Sequence, residues 1–266
     1  MQFARINDVM IHYQIIGASG DKPTIVFANA LGTDFRIWRD VIIRLAGDFA
    51  IILYDKRGHG LSDIGKTPYA IEDHAADLEG LLDMLAVESA YVCGLSIGGL
   101  VAQSLYQRRA ALVRGLILCG TAPRIGSSEA WDQRIGEVET GGIEALAEGT
   151  MERWFTPDFR SAESGAITGY RNMLVRQPVT GYLASCRALR NADYSETLTR
   201  IAVPTLCVVG DQDGSTPQDL VLAMAKRIPG ARYEVVKKAG HLLPVEQPAM
   251  LTEIIKAFVA EVETAK

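Results

Sequence analysis

A doubly wound α/β sheet, mostly parallel and carrying an inserted helical cap, is the fold this sequence predicts. Short continuous apolar runs recur along the chain, segments of helical period lie between them, and one long stretch shows helices without strands. Apolar runs without alternation belong to strands buried on both faces, as in a parallel sheet. Strand and helix alternating in this way give the doubly wound architecture.

The elements follow in order. Residues 3–6 and the alternating 9–16 predict an antiparallel edge hairpin turning at Asn7-Asp8. Buried strands are predicted at 24–27, 50–54, 90–93, 116–119, 205–209 and 232–236, with helices at 71–85 and 100–109 among them. From 124 to 193 no strand run occurs, only helix-like segments broken by Gly141-Gly142, Pro157 and Pro178. A loop of that length is rare in a compact domain, so 124–193 is expected to be a helical cap subdomain. The core domain is then 1–123 with 194–266. Every basic residue of the insert is arginine, and ten acidic residues outnumber the eight arginines, so plain surface charge accounts for them at this stage.

With 266 residues the chain is long enough to bury a sizeable core. Hydrophobic residues at 48% and charged residues at 22% are ordinary for a folded protein. The net charge of −5 offers no basic face to nucleic acid. No apolar run reaches the roughly 18–20 residues of a membrane span, and the N-terminus lacks the layout of a signal peptide. Cys93, Cys119, Cys186 and Cys207 show no metal-type spacing. They read as small buried hydrophobes in a reducing cytoplasm. Oligomeric state is not legible.

The chemistry is carried by Gly94-Leu95-Ser96-Ile97-Gly98-Gly99, which follows a strand and precedes a helix. That is the context of a nucleophile elbow, in which glycines permit a sharp turn that lifts the serine hydroxyl clear of the sheet. The amide of Ile97, at the helix start, can then face a developing oxyanion. A phosphate loop is excluded by the missing lysine and by the glycine spacing. A second oxyanion donor is expected from the loop Asn29-Ala30-Leu31-Gly32-Thr33, with the amide of Leu31 as candidate.

A serine hydroxyl needs a base, and only four histidines exist. His12 lies in the opening hairpin, expected to be too far from the strand C-termini. His74 sits early in a helix, and His59 is held in the glycine turn Asp55-Lys56-Arg57-Gly58-His59-Gly60, where it shapes that loop. The order nucleophile, acid, histidine selects His241. The acid belongs after the strand 205–209, where Gly210-Asp211-Gln212-Asp213-Gly214 offers two aspartates. Asp213 has the better offset to reach back, and Asp211 suits a turn.

These residues resemble the α/β-hydrolase superfamily along the whole chain and, within it, the 3-oxoadipate enol-lactonases. The similar stretches are Asn29 to Asp34, Tyr54 to Asp63, the elbow Cys93 to Gly99, Gly210 to Pro217, and Gly240-His241 followed by Glu246-Gln247-Pro248. Gly120 to Gly126, leading to Trp131 and Arg134, adds to the lactonase pattern. Lactonases more often carry methionine after the nucleophile where this chain has Ile97; only the amide acts, so the departure is mild. The resemblance implies ring opening of a small lactone bearing a carboxylate, in aromatic degradation, by Ser96, His241 and Asp213 without metal or organic cofactor. The substrate carboxylate calls for a planar cation, and Arg134 with Trp131, three apart on a helix, are the candidates. A carboxylesterase or C–C bond hydrolase of the same fold, or a binding homologue without turnover, are the rival readings.

Overall fold

The computed structural model describes residues 1–17 and 22–264. Among them eight strands form one sheet: β1 (Gln2–Ile6), β2 (Val9–Ile16), β3 (Thr24–Ala28), β4 (Ala50–Tyr54), β5 (Ala90–Leu95), β6 (Val113–Cys119), β7 (Thr205–Gly210) and β8 (Arg232–Val236). Their order is β1-β2-β4-β3-β5-β6-β7-β8. Only β2 runs against its neighbours, pairing antiparallel with β1 and β4, and the remaining pairs are parallel. The crossover that carries the chain out to β4 and back through β3 to β5 is the switch in strand order at which ligands bind in such sheets.

The predicted hairpin is present, with Asn7 at φ 53 in its turn. All of β5 and β7 is buried, as continuous apolar runs require, whereas β8 at the edge is mostly half-buried. Helices α1 (Arg39–Leu45), α2 (Ile71–Met84) and α3 (Ile97–Arg108) follow β3, β4 and β5. Three residues of α3 precede the predicted start, because Gly98 and Gly99 carry no periodic apolar signal.

Between β6 and β7 lie α4 (Ser128–Gly141), α5 (Ala147–Trp154), α6 (Pro157–Ala162), α7 (Ser164–Val175) and α8 (Val179–Asn191). No strand occurs there among the described residues. Then come α9 (Gln218–Arg227), α10 (Leu243–Glu246) and α11 (Pro248–Thr264). Helix α2 packs on α3 and α1 on α11. Among the described residues no helix is long and apolar enough to cross a membrane.

Candidate active site

Ser96 joins the end of β5 to the start of α3 with φ 58 and ψ −120, a left-handed conformation for a residue with a side chain. Such backbone costs about 1–3 kcal/mol and persists only where its surroundings enforce it. Here they do. A Cβ on Gly98 would lie 2.2 Å from the Ala28 carbonyl oxygen, and one on Gly94 would lie 2.2 Å from that of Gly98. The Ser96 N–H donates to the Cys119 carbonyl at 3.0 Å, and the Thr121 hydroxyl donates to the Ser96 carbonyl at 2.7 Å. Ile97 is the first residue of α3, so its N–H has no acceptor within the helix.

The loop after β7 brings Asp213 to His241, which follows β8. The imidazole Nδ1–H donates to the carboxylate at 2.9 Å and 3.1 Å. The same carboxylate accepts the N–H groups of Ser215 and Thr216, each at 2.8 Å, and the Thr216 hydroxyl at 2.9 Å. Burial pushes the Asp213 carboxyl up, but the imidazole and these donors outweigh it and hold it below the usual range. The two offered aspartates thus separate. Asp211 accepts the Ala239 N–H at 3.3 Å and shapes the turn. With Nδ1 engaged, Nε2 is the His241 nitrogen left for the cavity that His241 and Ser96 both line. No hydrogen bond joins Ser96 Oγ to His241 among the described residues; such contacts shorten when substrate fills the site.

That cavity measures about 190 Å³ and is lined also by Leu31, Trp131, Arg134, Arg153, Trp154 and Tyr182. Trp131 donates from Nε1 to the Ile125 carbonyl at 2.6 Å, and the Arg134 guanidinium stands 5.5 Å from its ring centre. Arg134 and Arg153 each donate to the Thr150 hydroxyl, at 3.2 Å and 3.1 Å. Neither meets a carboxylate among the described residues, and the buried Arg134 Nε has no partner there. Burial, then the neighbouring Arg134 charge, lowers the Arg153 pKa. By contrast Arg124, Arg160, Arg171, Arg187 and Arg190 each pair with an acidic neighbour. Plain surface charge describes those five; it does not describe the two in the cavity.

Sequence reasoning missed Arg153. Its only local signal is an arginine beside Trp154, a pattern that surface helices share. The Glu246 carboxylate, for which the sequence suggests no role, accepts the Thr156 N–H at 3.0 Å and the Gly240 N–H at 2.5 Å, tying the helical segment to the His241 loop.

His12 lies closer to the strand C-termini than its place in the hairpin predicts. His12 does reach a strand C-terminus, where its Nδ1 meets Asp55 just beyond β4 at 2.8 Å. It is unsuited because that contact occupies it and because it lines a separate cavity, with Asp34 and Met173. His59 holds its own turn as expected, and also accepts the Gly32 N–H at 3.0 Å. Among the described residues no group of three or more His, Cys, Asp or Glu side chains is placed to hold a metal ion.

Residues 25–254 match the model of the alpha/beta hydrolase family. Among curated proteins, 3-oxoadipate enol-lactonase 2 of Acinetobacter baylyi is 33% identical over 94% of this chain and 93% of its own. Among solved structures, the enol-lactonase from Burkholderia xenovorans superposes with a TM-score of 0.94 at 36% identity, covering 97% of this chain and all of that one. A thermophilic esterase from Thermogutta terrifontis, solved with malate bound, gives a TM-score of 0.92 at 27% identity over 98% of this chain and 99% of its own.

Proposed function

This chain belongs to the alpha/beta hydrolase family, and we propose that within it the protein opens 3-oxoadipate enol-lactone to 3-oxoadipate, in the β-ketoadipate route of aromatic degradation. The observation that carries this reading is the shared cavity. A strained serine and a histidine held by a buried aspartate line one cavity with two arginines that have no acidic partner among the described residues. The likeness to enol-lactonases supports the substrate class. Four free thiols fit a reducing cytoplasm.

The chemistry runs through an acyl-enzyme. His241 Nε2 takes the Ser96 proton as Oγ attacks the lactone carbonyl, and Asp213 steadies the imidazolium through Nδ1–H. The Leu31 and Ile97 N–H groups receive the oxyanion. When the tetrahedral adduct collapses, the ring C–O bond breaks. The departing enolate takes the proton from His241, and an enolate leaves far more readily than an alkoxide. Water then gives its proton to His241 and attacks the ester, releasing Ser96 and the acid. The free enol relaxes to the ketone. Trp131, Arg134 and Arg153, from the cap formed by 124–193, hold the substrate carboxylate. A neutral ester has no use for that pair of guanidiniums, which sets the lactonase reading above a general carboxylesterase.

Turnover of the enol-lactone by purified protein, followed by ultraviolet absorbance, tests the reading. Ser96→Ala should lower kcat by at least about 10⁴-fold. Arg134→Ala and Arg153→Ala should each raise KM for the acidic lactone about 10- to 100-fold, the range of a lost charged hydrogen bond. They should leave 4-nitrophenyl acetate hydrolysis nearly unchanged. Brisk ester hydrolysis without lactone turnover would assign the protein to the esterases instead.

A further inference from the structure

The Arg-Gly-His-Gly turn after β4 plays no part in the acyl-transfer steps, yet Lys56 beside it and His59 within it reach the oxyanion loop. Lys56 is only 2% exposed, and its Nζ donates to the Ala30 carbonyl at 2.6 Å and the Thr33 carbonyl at 3.4 Å. From the same turn, His59 accepts the Gly32 N–H at 3.0 Å. Between these anchors the Leu31 N–H meets no acceptor among the described residues, and Leu31 lines the cavity with Ser96. Burying an amine this deeply is costly unless it is well bonded. Burial draws the Lys56 ammonium down to about 7, with Asp55 and Asp34 pulling the other way. Either form of the amine can donate to a carbonyl.

The Ala30 carbonyl and the Leu31 N–H are opposite ends of one planar trans peptide. A donor on the oxygen therefore fixes the direction of the N–H. It also polarises the peptide, which makes that N–H a stronger donor. Dipoles aimed in advance are the ones that stabilise an oxyanion, because they need not reorganise as charge develops. The other donors to the Ala30 oxygen, the Thr33 N–H at 3.3 Å and hydroxyl at 2.9 Å, belong to the loop itself. Among the described residues Lys56 is the one donor to this oxygen from outside the loop.

We propose that Lys56 is a positioning residue for the oxyanion site: by bonding the Ala30 carbonyl it sets the Ala30–Leu31 peptide plane and strengthens the Leu31 N–H as a donor. The inference rests on the proposed roles of Ser96 and Leu31.

Lys56→Met keeps the chain length and removes the donor. Wild type and variant are compared on the enol-lactone and on 4-nitrophenyl acetate. Inhibition by phenylboronic acid, which forms a tetrahedral anion on an active serine, reports the oxyanion site directly. A fall in kcat of about 10- to 100-fold is expected, less than loss of a whole donor brings. KM should hold within about twofold, as for a contact made only in the transition state. Boronate affinity should drop by the same factor as kcat/KM. Unchanged kcat in a folded variant overturns the proposal, as does a lower kcat with undiminished boronate affinity. If Lys56→Met does not fold, Lys56→Gln, with a shorter donor, should give a smaller fall in both quantities; no fall in either overturns the proposal. Ser96→Ala separates the layers. Turnover surviving in Ser96→Ala overturns the nucleophile and the Lys56 role together, whereas turnover lost there but intact in Lys56→Met overturns the Lys56 role alone.

Discussion

The elbow at Ser96 and the loop Asn29–Thr33 meet at one cavity, but they are built by different means. The elbow is held mainly by backbone, with a forced left-handed serine, two glycines packed against carbonyl oxygens and the start of α3, and by one side-chain bond from Thr121. The loop is held by side chains. Lys56 and His59 reach it from a turn 26 and 27 residues further along the chain. Local sterics are written in local sequence, whereas an anchor supplied from elsewhere leaves no mark in the loop it anchors. A change inside the elbow should therefore damage folding and catalysis together. Removing an anchor of the loop should leave the fold standing and weaken the chemistry.

The largest effect is expected at Gly98. Its substitution by alanine places a methyl group 2.2 Å from a backbone oxygen of β3, and neither strand nor helix can give way cheaply. Gly98→Ala should cost about 3 kcal/mol or more in urea unfolding, at the upper end for an overpacked site. It should lower kcat by at least about 10³-fold, since Ser96 and the Ile97 N–H are displaced together. A variant of wild-type stability and rate would show that the elbow is not sterically locked, and the contrast with the loop would fail.

The same contrast explains what was legible beforehand. The strand runs and the elbow announce themselves in short windows of sequence, and His241 follows from the order of the groups along the chain. A parallel strand must be apolar throughout, and a strained turn must have its glycines. The offset from Gly210 already favours Asp213 over Asp211 in the sequence, and in the structure the loop turns Asp213 toward His241 while Asp211 takes the Ala239 N–H. Trp131 and Arg134 were named through resemblance, and the structure adds Arg153, which α5 brings into the same cavity. Nothing near residue 153 distinguishes it from the arginines that pair with surface acids. What separates Arg153 is that it lines the cavity with Ser96 and has no acidic partner among the described residues, both properties of tertiary packing.

The smallest effect, and the finest test of the comparison, lies at His59. Its imidazole is fully buried, and burial first, then the nearby Lys56 charge, drives its pKa well below 6.5. A neutral ring is what accepting the Gly32 N–H requires. His59→Leu leaves that N–H without a partner, at a cost of about 1–3 kcal/mol, and should slow turnover less than Lys56→Met does, because Gly32 is one residue removed from the Leu31 donor. His59→Gln retains an acceptor and should recover part of both losses. The two variants also carry a pH signature. Below pH 6.5 the unfolded chain takes up a proton at His59 that the native ring refuses, so native stability falls as pH falls. His74, also buried with a lowered pKa, adds to the same slope. In His59→Gln one of the two contributions disappears, so stability measured in urea between pH 6.5 and 5 should decline more gently, by up to about 1.4 kcal/mol per pH unit. Identical slopes in variant and wild type would mean that His59 protonates in the native state. A protonated ring cannot accept the Gly32 N–H, and the loop would then be held by Lys56 alone.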